Sequence, residues 1–248
     1  MNFVKYIFIL STILYETVSF NKQIKVDTHR FLNGDQTKII KSSNKNTQST
    51  AIVFFTGGSS FISPSIYSNL FSNLANNNLT IYTPYFGFKE KDKFIDCITK
   101  QHKSVLVAGH SSGCTTAINF CKNNKNIKKI LLVDPVDTFF DQKVVNLPHI
   151  NRVMFLIAGK TYKYSNDPPG IPFIPVLGYD SVNKKLVLNN NNKVIFVNNN
   201  KFGHSDILDV PWSNLMHYTR LSVGHRIRDK RLLHTYHSWI GKLVKNYA

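Results

Sequence analysis

In the segment Gly109-His110-Ser111-Ser112-Gly113 a serine stands midway between two glycines, directly after the apolar run 104–108 and directly before a stretch with helical spacing at 112–122. A serine on a strained strand-to-helix turn holds its hydroxyl out from the sheet. Glycines two residues to either side remove side chains that would collide where strand and helix nearly touch. The chemistry implied is nucleophilic attack by the Ser111 hydroxyl. His110 lies beside it, but adjacent positions on such a turn point apart, so His110 reads as a packing residue and not as the base.

A serine hydroxyl is a weak nucleophile at neutral pH and needs a base, a carboxylate to orient that base, and donors for an oxyanion. Where this turn crowns a parallel sheet, the chain order is serine, acid, histidine, and the histidine follows the last strand. Of nine histidines, His204 fits, with a strand ending at 197 and a loop at 198–203 before it. His217, His225, His234 and His237 fall in a basic C-terminal stretch and read as solvated or packing residues. Three carboxylates compete for the acid. Asp134 ends the run 129–133, with Pro135 stiffening the turn behind it; Asp137 is its neighbour; Asp167 follows the run 153–158, the commoner placement. Each also reads as a turn-capping aspartate. Asp206 is expected to stabilise the histidine loop. The oxyanion donors are expected to be the N–H of Ser112 and one N–H from Phe55-Thr56-Gly57-Gly58-Ser59, with Gly58 the first choice and Ser59 the second.

These groups need a platform, and the rest of the chain predicts one. Segments 24–28 and 38–41 flank Asn33-Gly34, a dipeptide suited to the type I′ turn of a hairpin. Short apolar runs at 51–55, 80–83, 104–108, 129–133, 153–158 and 193–197 do not alternate, which suits strands buried on both faces. Helical spacing at 66–75, 90–101 and 112–122 lies between the first of these runs, and 229–246 carries an apolar helix face. The expected fold class is α/β, specifically the α/β-hydrolase fold. It has a mostly parallel eight-stranded sheet, six parallel strands behind an N-terminal antiparallel hairpin, covered by helices on both faces. The segment 165–180 holds four prolines and several large apolar residues, a composition for the wall of an apolar pocket.

With 248 residues, 42% of them apolar and 12% aromatic, the chain buries the core of one domain and is not disordered. Its 31 Lys and Arg against 14 Asp and Glu give a net charge of +17. Arg220, Arg226, Arg228, Lys230 and Arg231 form the densest basic cluster, suited to peripheral contact with an anionic membrane or to a solvated helix face. Aromatic residues do not interleave with it and no binding motif accompanies it, so nucleic acid is not an expected partner. Lys5, the apolar run 6–14 and Thr17-Val18-Ser19 have the order of a cleavable secretory signal over residues 1–19, leaving 20–248 as the domain. The run is well short of the ~20 residues that span a bilayer, so export is expected, with a signal anchor as the alternative. Cys114 and Cys121 share one helix face and read as small buried hydrophobes; a single bridge is the other option for the three cysteines. Asn78-Leu79-Thr80 is a glycosylation sequon.

Four segments together resemble chlorophyllases and related α/β-hydrolase esterases over residues 51–246. They are Phe55-Thr56-Gly57-Gly58, the serine turn, Leu132-Val133-Asp134-Pro135-Val136-Asp137, and Gly203-His204-Ser205-Asp206-Ile207-Leu208-Asp209. The resemblance implies Asp134 as the acid. It further implies hydrolysis of a small-molecule or lipid carboxylic ester with a large apolar part, without metal or cofactor. Thr56-Gly57 stands where chlorophyllases usually carry His-Gly, and Ser112-Gly113-Cys114 where they carry Arg-Gly, so the pocket chemistry differs. A catalytically idle hydrolase fold serving as a binding or surface protein is the rival expectation.

Overall fold

In the computed structural model, the residues described are 24–30, 36–42, 50–60, 62–84, 91–135, 145–158, 186–187, 193–199, 201–218 and 229–248. Strands β1 (Ile24–Arg30) and β2 (Gln36–Ser42) pair antiparallel, Ile24 opposite Ser42 and Arg30 opposite Gln36. The apolar runs become β3 (Thr50–Phe55), β4 (Leu79–Pro84), β5 (Ser104–His110) and β6 (Lys129–Val133). Beyond them lie β7 (Val145–Asn146), β8 (Arg152–Ala158), β9 (Leu186–Val187) and β10 (Lys193–Asn199). The main sheet has eight strands in the order β1-β2-β4-β3-β5-β6-β8-β10, and β7 with β9 forms a separate two-stranded parallel pair.

The hairpin is antiparallel as expected, but only β2 runs against the sheet. It pairs antiparallel with β1 and with β4, which orients β1 with the remaining strands. The chain crosses from β3 outward to β4 and back across to β5, so β3, with β5 beside it, comes to the middle.

Successive residues of a strand face opposite sides, and in β3, β5, β6 and β8 both sides are buried. The run 193–197, expected to be buried likewise, forms the edge strand β10 and is largely exposed, Phe196 at 50%. Ile52, Phe54, Leu106, Ala108, Leu131, Val133, Met154 and Leu156 enter one core cluster, with apolar residues of α1 (Ser68–Asn76) and α5 (Lys230–Tyr247). Ala51, Val53, Phe55, Val107, Ile130, Leu132, Val153 and Phe155 enter the other, with those of α2 (Lys91–Gln101) and α3 (Gly113–Asn123). This is the physical origin of the non-alternating runs in the sequence. A fifth helix, α4 (Val210–Tyr218), follows the histidine loop, and a 3₁₀ turn at Pro64–Tyr67 leads into α1. All three cysteines are free thiols; Cys114 and Cys121 are buried on α3 and Cys97 is exposed. The Asn33-Gly34 turn, residues 1–19, the segment 165–180 and Arg220, Arg226 and Arg228 lie outside the described residues. Among the described residues no helix is long and apolar enough to cross a membrane.

Candidate active site

Ser111 follows the last residue of β5 and precedes α3, with φ of 56°. Its N–H donates to the Val133 carbonyl on the neighbouring strand at 3.0 Å, and its carbonyl accepts the Cys114 N–H at 3.0 Å, closing the turn. The flanking glycines are forced by contact. A Cβ on Gly109 would stand 2.5 Å from the Gly113 carbonyl oxygen. On Gly113 it would stand 2.4 Å from the carbonyl oxygens of both Phe55 and Thr56. Backbone atoms cannot swing aside as a side-chain tip does, so Gly113 is what lets α3 press against the loop after β3.

That loop is the other half of the expected oxyanion site. Gly58 has φ of 60° and opens a 3₁₀ turn, Gly58–Ser60, that packs on α3. Around it three donors are already engaged. Gly57 N–H donates to Tyr67 Oη at 2.9 Å, and Ser60 and Ile62 N–H donate to the Thr56 and Gly57 carbonyls at 3.0 and 3.2 Å. Among the described residues Gly58 N–H has no partner, and Gly58 is exposed. The Thr56 hydroxyl donates to the Ile62 carbonyl at 2.6 Å and pins the turn.

Asp134 directly follows β6 with φ of 45°, and its N–H donates to the Leu156 carbonyl of β8 at 2.7 Å. The backbone thus turns the carboxylate out of the strand line and over the sheet end. His204 meets it there: Nδ1 lies 2.5 Å from Asp134 Oδ2, and Nε2 lies 3.1 Å from Ser111 Oγ. Asp134 and His204 are both buried, at 5% and 8% exposure, whereas Ser111 is half-buried, which leaves the hydroxyl as the accessible end of the row. With Nε2 facing a hydroxyl and Nδ1 facing a carboxylate, the proton belongs on Nδ1 and the lone pair on Nε2 faces Ser111. Asp137 and Asp167, the other acids weighed from the sequence, lie outside the described residues.

The loop that carries His204 is held like core. Asp206 accepts Gly203 N–H through Oδ2 at 2.7 Å and the Ser213 hydroxyl through Oδ1 at 3.0 Å, as its expected stabilising role requires. His237 Nε2–H donates to the Asp206 carbonyl at 2.9 Å, and Phe202 stacks on Tyr236 with ring centroids 3.7 Å apart. Asp209 accepts Ser68 N–H at 3.1 Å and Asn69 N–H at 3.0 Å, together with the Ser68 hydroxyl, and so caps α1 from the far end of the chain. Burial raises its carboxyl above the ordinary range, against the pull of those donors.

His110 is buried, at 2% exposure, and takes no position beside the hydroxyl. It is more than packing, however: Nδ1 lies 2.8 Å from Tyr67 Oη and Nε2 3.1 Å from the His204 carbonyl oxygen. The sequence does not mark Tyr67 or Asp209 as contributors to the site, because His110 lies 43 residues from Tyr67, and Ser68 and Asn69 lie 141 and 140 from Asp209. The only available signal for Asp209 was its place in the Gly203–Asp209 segment. Among the described residues no group of three or more His, Cys, Asp or Glu is placed to hold a metal ion.

No protein-family model matches the chain, and no curated protein matches it in sequence. Solved structures do match in shape. A mutant of the esterase rPPE superimposes with a TM-score of 0.60 at 12% identity, over 96% of this chain and 89% of that one. A thermostable esterase from Pseudomonas putida gives 0.54 at 13% identity, over 78% and 79%. At such identities the likeness is one of backbone alone. Together with the strand order and the turn at Ser111, it establishes that the chain has the α/β-hydrolase fold.

Proposed function

We propose that this protein is a serine hydrolase of carboxylic esters. The supporting observation is the bonded row itself, with His204 bridging the Asp134 carboxylate at 2.5 Å and the Ser111 hydroxyl at 3.1 Å above the carboxyl ends of β5 and β6. In this reading Ser111 Oγ attacks the ester carbonyl carbon while His204 Nε2 takes the hydroxyl proton. The N–H groups of Gly58 and Ser112 hold the oxygen that becomes negative. Asp134 keeps the proton of His204 on Nδ1 and stabilises the imidazolium. Collapse of the tetrahedral species breaks the ester C–O bond, and the alcohol leaves with the proton from His204. Water then attacks the acyl-serine by the same route in reverse order, with His204 again as base, releasing the acid and restoring the hydroxyl.

The resemblance to chlorophyllases supports an ester with a large apolar part, and the Pro-rich apolar segment 165–180 supplies residues suited to receive it. Secretion through the signal at 1–19 and peripheral contact with anionic lipid through the cluster Arg220 to Arg231 complete the proposal. The rival, an idle fold used for binding, parts from it in one measurement. A fluorophosphonate labels the protein stoichiometrically at Ser111, and Ser111→Ala removes the label; an unlabelled but folded wild-type protein would sink the enzymatic reading. Chromogenic esters of graded acyl length then report the pocket.

A further inference from the structure

Tyr67 and His110 form a buried bridge between the loop after β3 and the loop that carries His204. Its two ends are backbone groups: Gly57 N–H donates to Tyr67 Oη at 2.9 Å, and the His204 carbonyl oxygen lies 3.1 Å from His110 Nε2. The middle is the 2.8 Å contact between Tyr67 Oη and His110 Nδ1. A carbonyl only accepts, so the His110 proton sits on Nε2. The ring is held neutral, because burial foremost, and then repulsion whenever the neighbouring His204 is protonated, push its pKa far below the usual value. Nδ1 is therefore an acceptor, and the Tyr67 O–H donates to it. The phenol oxygen in turn accepts from Gly57. Every proton in the row has one place, and all point from the oxyanion loop toward the base.

The bridge is braced on each side. The Tyr67 ring stacks on Phe71 with centroids 5.6 Å apart and meets Phe54 edge-on at 5.6 Å. The His110 ring lies over the His204 ring, with centroids 4.9 Å apart and 33° between planes. Gly57 belongs to it too, since a Cβ there would come to 3.2 Å from Tyr67 Oη and 3.3 Å from His110 Nδ1. Tyr67 takes the Gly57 N–H, and the next donor along, Gly58 N–H, has no partner among the described residues.

We infer that Tyr67 and His110 are positioning residues that set the distance between the oxyanion donor at Gly58 and the base His204. The inference rests on the proposed hydrolase reading. It assigns the histidine beside the nucleophile a defined tautomer and a defined load: it holds the backbone of the base and takes no part in proton transfer to substrate. A displacement of an ångström between oxyanion donor and base weakens transition-state contacts more than ground-state binding.

The test compares Tyr67→Phe with wild type on a chromogenic ester well below the melting temperature of both. The expected result is a drop in kcat of about 10- to 100-fold with KM within about twofold. His110→Phe, which breaks both contacts, is expected to match it, and His110→Gln, whose amide can donate to His204 and accept from Tyr67, to recover most of the loss. A merely structural role would lower the melting temperature and leave kcat in place. Folded Tyr67→Phe with kcat within twofold of wild type overturns the inference. Nitrogen NMR of the imidazoles in the unaltered protein gives a second test that no folding defect can obscure. His110 is expected neutral with its proton on Nε2 from pH 5 to 8, and a proton on Nδ1 overturns the bridge. Wild-type protein that hydrolyses no ester and takes no fluorophosphonate would instead count against the hydrolase reading, whatever the tautomer.

Discussion

Ser111 and Asp134 are both held in the left-handed backbone region, at φ of 56° and 45°, on adjacent strand ends. Such conformations cost a non-glycine residue about 1–3 kcal/mol and persist where surrounding structure over-determines them. Here the Val133 and Leu156 carbonyls do so, each taking the N–H of the strained residue. The strain turns two side chains out of their strands toward one imidazole. In the proposed hydrolase the three groups act as a unit, so their substitutions are expected not to add. Asp134→Asn tolerates the same backbone and leaves the fold intact, but it no longer compels the proton of His204 onto Nδ1. A fall in kcat of about 10⁴-fold is expected, with circular dichroism unchanged. In the double variant with Ser111→Ala, activity is expected to be no lower than in Ser111→Ala alone. Additive losses in steady-state assays would show that Asp134 works outside the row.

At the scale of elements, the notable join is between α1 and the histidine loop. Tyr67 occupies the position before α1 and makes no side-chain capping bond there. The capping carboxylate is Asp209, which accepts the N–H groups of Ser68 and Asn69 across 141 and 140 residues of sequence. Its own N–H returns to the Ile66 carbonyl at 2.8 Å. One aspartate thus holds the start of α1, with Tyr67 on it, against the loop carrying His204. Asp209→Ala is expected to destabilise the protein by about 1–3 kcal/mol, the range of a lost cap and of buried donors left unmade. Urea denaturation should show this as a lower midpoint at unchanged slope. An unmoved midpoint would mean that the cap carries no net stability.

For the whole molecule, two buried histidines make folding depend on pH. His110 lies well below the ordinary histidine value, and His237 is pushed down to about 4, in both cases chiefly by burial. A histidine whose folded value is depressed binds fewer protons in the folded state than in the unfolded chain. Its contribution is therefore full above the unfolded value of about 6.5 and is lost as pH falls toward the folded value. Asp209, raised by burial, acts in the opposite sense and is most favourable at the acid end. Melting temperature is expected to be level from pH 7 to 8 and to fall steadily from about pH 6.5 toward 4. His237→Gln, whose amide keeps the bond to the Asp206 carbonyl, is expected to flatten that fall. An identical acid limb in the variant would remove His237 from the account.

The sequence alone determined the local parts of this protein. The serine turn was legible because its requirement is steric and short-ranged: two glycines where a Cβ would strike backbone at 2.4–2.5 Å. The central strands were legible because burial on both faces leaves continuous apolar runs; β10 has such a run although it lies exposed at the sheet edge, and His204 was legible because it follows that strand. What the sequence left open is what depends on strand order. Asp134 stands 70 residues from its histidine, Tyr67 stands 43 from His110, and Asp209 stands 141 from the helix it caps. Only the tertiary structure decided these pairings. Apolar periodicity records which face of an element is buried, not which neighbour lies beside it. The crossing of β3 and β4, the single reversed strand β2 and the shared edge of β5 and β6 bring the partners together. Those choices follow from packing the whole sheet at once and leave no mark at any one position of the chain.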